Sequence, residues 1–240
     1  MSIKRPNEPI FMTADQAATR RGYAAKAELA LRNSLEAFCR SRWPDARICH
    51  EMMMGERKVR ADVVAINTDY IAAFEVKGEY DDTTRLLHQV GMYQLCVPEV
   101  WMVVPVGRHA EDARILRHLL PSVGLLVGAG TSQMHHYEFD GKDFDLVVEA
   151  EPQPRAPHIE MMMEMLWAAE LRGACDRQRI VLSKRPTRPE MIKKLLELPA
   201  ATLQQEVCTE LRARDAMWRA DAPIATNGFD PFSPANRAEP

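Results

Sequence analysis

An acid two residues ahead of a lysine is the smallest arrangement that sets an oxygen ligand for a hard cation beside an amine able to handle a proton or balance growing negative charge. With 34 acids and eight lysines in the 240-residue chain, chance supplies about one such pair. The chain has three: Glu56-Arg57-Lys58, Glu75-Val76-Lys77 and Asp140-Gly141-Lys142. The first follows Gly55 and the last spans a turn at Asp140-Gly141, so both should point at water. Glu75-Val76-Lys77 instead ends the apolar run Ile71-Ala72-Ala73-Phe74. Strand alternation puts Phe74 and Val76 on one face, and Ala73, Glu75 and Lys77 on the other.

The preceding apolar run, Val59 to Asn67, carries a second out-of-place acid, Asp62. Asn67-Thr68-Asp69 has turn composition, so the two runs read as an antiparallel hairpin. A register pairing residue 66 with 71 also pairs 62 with 75, which brings the two carboxylates to one site. Adjacent carboxylates repel unless a cation or a shared proton lies between them. Asp62, Glu75 and the backbone carbonyl of Val76 therefore suit Mg²⁺ or Mn²⁺, which take oxygen ligands and retain water. Lys77 could then orient or help deprotonate a water for attack on a phosphodiester, or stabilise the charge that develops on phosphorus. The alternative is structural: acids that guard an edge strand, and a lysine solvated at its end.

The elements that must hold these residues follow from periodicity. Thr13 to Gln16 has capping-box form, and Leu31, Leu35 and Phe38 recur at helical spacing until Pro44. Strands are expected over 47–53, 59–67, 71–77, 100–106 and 123–127, with helices over 85–96 and 111–120, and a late hairpin of 135–139 with 144–148. This gives an α/β fold, a mixed central sheet flanked by helices, over residues 1–150. Three prolines in 151–157 mark a linker. Residues 158–220 read as a small helical C-terminal domain, with a capping box at Thr187-Arg188-Pro189-Glu190 and a stripe of Leu203, Val207 and Leu211. Residues 221–240 read as a tail without periodicity.

Composition narrows the function classes. A net charge of -3 excludes a polybasic binder, so any nucleic-acid contact is local. No apolar run reaches the ~18–20 residues that span a bilayer, and Met1 to Asn7 lacks the apolar core of a leader, so a cytoplasmic protein with no membrane contact is expected. Five scattered cysteines without C-x-x-C spacing read as reduced, structural thiols. The phosphate-cradling G-x-x-x-x-G-K-[ST] and the dinucleotide G-x-G-x-x-G patterns are missing, so neither ATP nor NAD is implied.

The constellation Asp62, Glu75-Val76-Lys77-Gly78, Asp81-Asp82-Thr83, Arg85-Leu86, Gln89 and Tyr93, followed by the strand from Val100, resembles the PD-(D/E)XK, restriction-endonuclease-like superfamily of metal-dependent nucleases. The resemblance spans roughly Ala24 to Val106. It is closest to small bacterial and phage-associated nuclease-like proteins, with an echo of the Gln-x-x-x-Tyr helix of the RecB-like clade. In that family a glutamate on the first strand and an Arg-x-Asp on the second precede the Glu-x-Lys, and here they fall on Glu51 and on Arg60-Ala61-Asp62. The resemblance implies DNA as substrate, Mg²⁺ or Mn²⁺ as cofactor, Glu51 as a further metal ligand, and Arg60 beside the substrate. Arg85, Gln89 and Tyr93, four apart on one helical face, would line the DNA side. Glu28 on the first helix matches the extra acid of many such nucleases, and a solvated glutamate is the alternative reading.

Other features carry less. The methionine runs Met52–Met54 and Met161–Met163 read as core filler or an interaction surface, and His135-His136 point to opposite faces of a strand. Five cations from Lys184 to Lys194, with Lys193 and Lys194 foremost, could meet phosphate. A protein-docking bundle, homodimerisation included, is an equal reading of that region. The expected function is thus metal-dependent DNA hydrolysis in DNA processing, repair or phage and mobile-element biology. The alternative is a non-catalytic DNA-binding or protein-interaction factor that keeps the nuclease fold.

Overall fold

Two apolar faces on one set of strands require a layer of helices on each side. In the computed structural model, which describes residues 14–55, 59–78, 81–129, 144–215, 219–222 and 224, the chain meets this demand. It runs α1 (Ala14–Arg42), β1 (Arg47–Met54), β2 (Val59–Ile66), β3 (Ile71–Val76), α2 (Leu86–Cys96), β4 (Glu99–Pro105), α3 (Arg108–Leu119), β5 (Gly124–Ala129) and β6 (Asp145–Ala150). Then come α4 (Ile159–Met163), α5 (Ala168–Arg177), α6 (Arg188–Leu195), α7 (Ala200–Ala213) and β7 (Arg219–Ala220). Among the described residues the sheet has seven strands in the order β6-β5-β4-β3-β2-β1-β7. β3, β4 and β5 are parallel neighbours and the remaining pairs are antiparallel, so the fold is α/β with a mixed central sheet.

One face packs on α1: Leu31, Leu35 and Cys39 meet Ile48, Val63, Phe74, Trp101 and Leu126. Close approach is required there at Gly124, where a Cβ would lie 2.4 Å from the Trp101 ring. The opposite face carries Ala73, Val100, Met102 and Leu125, and is covered by α2, α3 and α4 to α7 in one continuous cluster with Leu171, Leu195, Leu203 and Leu211. The helices expected to form a domain of their own therefore share the core of the sheet. The proline-rich stretch before them is hydrogen-bonded along the way, from Gln153 N–H to Ser122 O and from Arg155 N–H to Pro98 O. Asp221, at the start of the expected tail, accepts from Ile48 N–H and pairs with Arg40.

The 66-with-71 register is observed, continuing through Val63 with Phe74, and Asn67 N–H closes the turn on Tyr70 O. Thr187 caps α6 by accepting from Glu190 N–H, with proline in the first turn. Met52, Met54, Met162 and Met163 are core. All five cysteines are free and buried, and burial pushes their thiols up, so they are inert packing groups. The expected strand at 135–139, with His135 and His136, lies outside the described residues, as do Glu56 to Lys58 and Asp140 to Lys142. Among the described residues no helix is long and apolar enough to cross a membrane.

Candidate active site

The site sits where β2 and β3 run out against α1 and α2. β1 and β2 pair from Arg47 with Ile66 to His50 with Val63, skip Glu51 and Asp62, and resume at Met52 with Ala61. At the skipped pair both strands lose one step of alternation, since Cys49 and Met52, like Val64 and Ala61, face the same core cluster. Glu51 takes φ +56°, a left-handed conformation that costs a non-glycine residue about 1–3 kcal/mol and is retained where the surroundings over-determine it. Two acids thus occupy a break in an otherwise regular ladder.

Asp62 is held from two directions. Its Oδ2 accepts from Val76 N–H at 2.7 Å, and its Oδ1 accepts from the Arg32 guanidinium of α1 at 2.9 Å. Burial, with the charges of Glu75 and Glu51 close by, pushes the Asp62 carboxyl up to about 7, against the opposing pull of Arg32 and the Val76 amide. Glu75 is buried, with 1% of its surface exposed. Its Oε1 accepts from Lys77 Nζ at 2.7 Å, and its Oε2 lies 2.5 Å from the Tyr93 hydroxyl. Lys77 is itself 6% exposed and also donates to Gln89 Oε1 at 3.1 Å. Its backbone N–H continues the parallel ladder to Val103 O, so β4 fixes the position from which the amine reaches out.

These groups open onto a cleft of about 560 Å³ whose lining includes Glu28, Arg32, Arg60, Asp62, Glu75, Val76, Lys77, Arg85, His88 and Gln89. Arg60 is an accessible cation of the group, its side chain 62% exposed, and pairs with Glu51 at 2.6 Å. Asp81 and Asp82 also line the cleft, but are engaged in turn caps, accepting from Gly78 N–H and from Thr84.

A family model described as bacteriophage P4 protein cII matches residues 16–226. The chain belongs to that family. No match was found among curated proteins or among solved structures. The bacteriophage P4 protein cII match runs from α1 through α7, so the cleft and the C-terminal helices lie within one family unit, as the shared core requires.

The structure brings together Glu51, Asp62, Glu75, Lys77, Arg60, Arg85 and Gln89, with the expected extra acid Glu28 of α1 beside them. Tyr93 is a correction. It was expected to face DNA, but it is fully buried, with its hydroxyl against Glu75 and Arg60 O. Position 93 falls on the core side of α2 with Leu86 and Val90, so Tyr93 holds Glu75 from beneath and does not line the cleft. Lys193 and Lys194 lie exposed on α6, outside the cleft lining, so they are not brought to this site. Arg32 and His88 were not anticipated. The only signal for Arg32 was its spacing of four from Glu28, at the edge of the stripe that carries Leu31 and Leu35.

The donor set is all oxygen, which fits Mg²⁺ or Mn²⁺ chemistry. The carboxylates are drawn onto Arg32 and Lys77, however, and among the described residues no group of three or more acids, histidines or cysteines is gathered tightly enough to enclose a metal ion.

Proposed function

We propose that the protein is a metal-dependent nuclease of the PD-(D/E)XK type that hydrolyses DNA phosphodiester bonds, working in DNA processing, repair or the biology of phages and mobile elements. The observation that carries this reading is the convergence of Asp62 and Glu75 from adjacent strands with Lys77, all opening onto one cleft. Asp62, Glu75 and the Val76 carbonyl, with Glu51 beside them, would hold Mg²⁺ or Mn²⁺. The cation would supply Lewis acidity and a water acidic enough to attack at neutral pH.

The protein's own groups do the rest. Glu75 fixes the Lys77 ammonium, and Gln89 accepts a second of its protons, so the amine is aimed and not free to rotate away. An ammonium in that place balances charge developing on the phosphoryl oxygens, and the same amine, when neutral, accepts a proton from an attacking water. Tyr93 holds the far oxygen of Glu75. Arg60 and Arg85, exposed at the cleft, meet backbone phosphates.

A second reading is a DNA-binding or protein-interaction accessory factor that retains the fold without catalysis. It is favoured by the cation already present among the acids, the Arg32 guanidinium. The experiment that separates the two is incubation of the purified protein with supercoiled, linear and single-stranded DNA, in EDTA, Mg²⁺ or Mn²⁺, beside Asp62→Asn and Lys77→Ala. The nuclease reading expects metal-dependent cleavage that falls about 10²–10⁴-fold in both variants, with folding and DNA binding retained. Cleavage at parental rate by Asp62→Asn overturns the site assignment. Binding to all substrates without cleavage supports the accessory reading.

A further inference from the structure

Arg32 is the densest charge junction of the cleft. Its Nε pairs with Glu28 Oε1 at 3.0 Å, one terminal nitrogen lies 3.3 Å from Glu51 Oε1, and the other lies 2.9 Å from Asp62 Oδ1. The first of those terminal nitrogens also reaches the backbone carbonyl of Asp62, at 3.3 Å. The guanidinium side chain is largely covered, 12% exposed, so these contacts are screened less than a surface pair would be. Two of its three acids, Glu51 and Asp62, belong to the proposed metal ligands, and both sit at the break in the β1–β2 ladder.

We propose that Arg32 is a resident counter-ion of the acidic cluster, which a divalent cation must displace before Asp62 and Glu51 can serve as its ligands. The proposal rests on the metal-dependent reading of the cleft and gives that site a regulation of its own. In the resting protein, Arg32 keeps the acids neutralised and metal affinity low. Once displaced, the guanidinium stays on α1 at the rim of the cleft, where a nucleic-acid phosphate is its natural partner. Metal and polyanion then favour each other's binding, because each removes an obstacle to the other and such coupling is reciprocal.

The test measures Mn²⁺ binding by the full chain without nucleic acid, followed by loss of the free-Mn²⁺ electron paramagnetic resonance signal. The proteins compared are the parent, Arg32→Gln, Arg32→Lys, Asp62→Asn and the double variant Arg32→Gln with Asp62→Asn. Circular dichroism verifies folding. Arg32→Gln should bind Mn²⁺ about tenfold more tightly than the parent, since the competing charge is removed. Arg32→Lys should lie between them, because it keeps the charge but loses the fork that spans three acids. The double variant should lose the gain. If Arg32→Gln does not fold, the shift in Arg32→Lys decides alone. Binding that depends on Asp62 but is no tighter in the Arg32 variants overturns the counter-ion proposal and leaves the metal site standing. Mn²⁺ binding that is negligible in every protein, or indifferent to Asp62, removes the metal reading itself.

Discussion

Two buried ion clusters in this protein look alike by charge and differ in what surrounds them. In the cleft, Arg32 and Lys77 face Glu28, Glu51, Asp62 and Glu75. Within the C-terminal helices, Arg177 pairs with Glu206 and Glu210, each at 2.6 Å, and Arg214 pairs with Glu170 at 2.6 Å. Each cluster holds one carboxyl that burial has pushed up to about 7, Asp62 in one and Glu210 in the other. A perturbed acid is therefore not by itself the mark of a site here. The helical cluster is closed over, with Glu170, Glu206, Glu210 and Arg214 all buried, and it ties α5 to α7. The cleft cluster opens to solvent through Arg60 and Arg85, and it contains a backbone residue held at positive φ. Access and stored strain distinguish the two.

That distinction can be broken most forcefully from the helical side. Arg214→Met strands a buried Glu170, and the expected loss is about 3–5 kcal/mol of folding stability, read from the midpoint of urea unfolding. DNA binding per folded molecule should not change. A stable variant with weakened DNA binding would mean that the helical cluster, too, is functional.

Acid and base titration sharpens the same contrast. Glu210 is raised above its ordinary value in the folded state, so the native protein binds its proton more tightly than the unfolded chain does. The contribution to stability is present below the ordinary carboxylate range and is lost as pH rises towards about 7. Urea midpoints taken from about pH 4.5 to about pH 7.5 should fall less steeply in Glu210→Gln than in the parent. Parallel curves would show that Glu210 is not the group responsible.

The smallest effect expected is in salt dependence. Arg60→Ala and Arg85→Ala should each weaken DNA binding and lower the slope of log affinity against log salt by about one. Charge reversal at Lys193 or Lys194, outside the cleft, should change that slope less than either arginine does. The opposite ranking would transfer the nucleic-acid surface to α6.

The hairpin register, the face of β3 that carries Glu75 and Lys77, and the cap of α6 were legible because each rests on a local rule: alternation, turn composition or a capping pattern. Arg32 was not, because a helical arginine thirty residues ahead of Asp62 reaches it only through the packing of α1 on the sheet. Tyr93 was misplaced for a related reason. Spacing of four puts Arg85, Gln89 and Tyr93 on neighbouring turns, but the helix rotates slightly across that span, and the last of them passes from the cleft to the core. The proline-rich stretch at 151–157 has linker composition, but hydrogen bonds to Ser122 and Pro98 hold it to the body.

Residues 219 and 220 pair with β1 at the far edge of the sheet, and α5 to α7 cover the face that the earlier strands create. During synthesis the N-terminal strands thus emerge long before their partners. β1's outer edge acquires its native partner only after about 170 further residues have been added, and until α5 to α7 follow, the apolar sheet face is covered only in part, by α2 and α3. The polypeptide must be guarded over that interval, and a fragment ending after β6 inherits a partly uncovered face that invites self-association. Its yield in cells should depend on chaperone supply more than its size suggests.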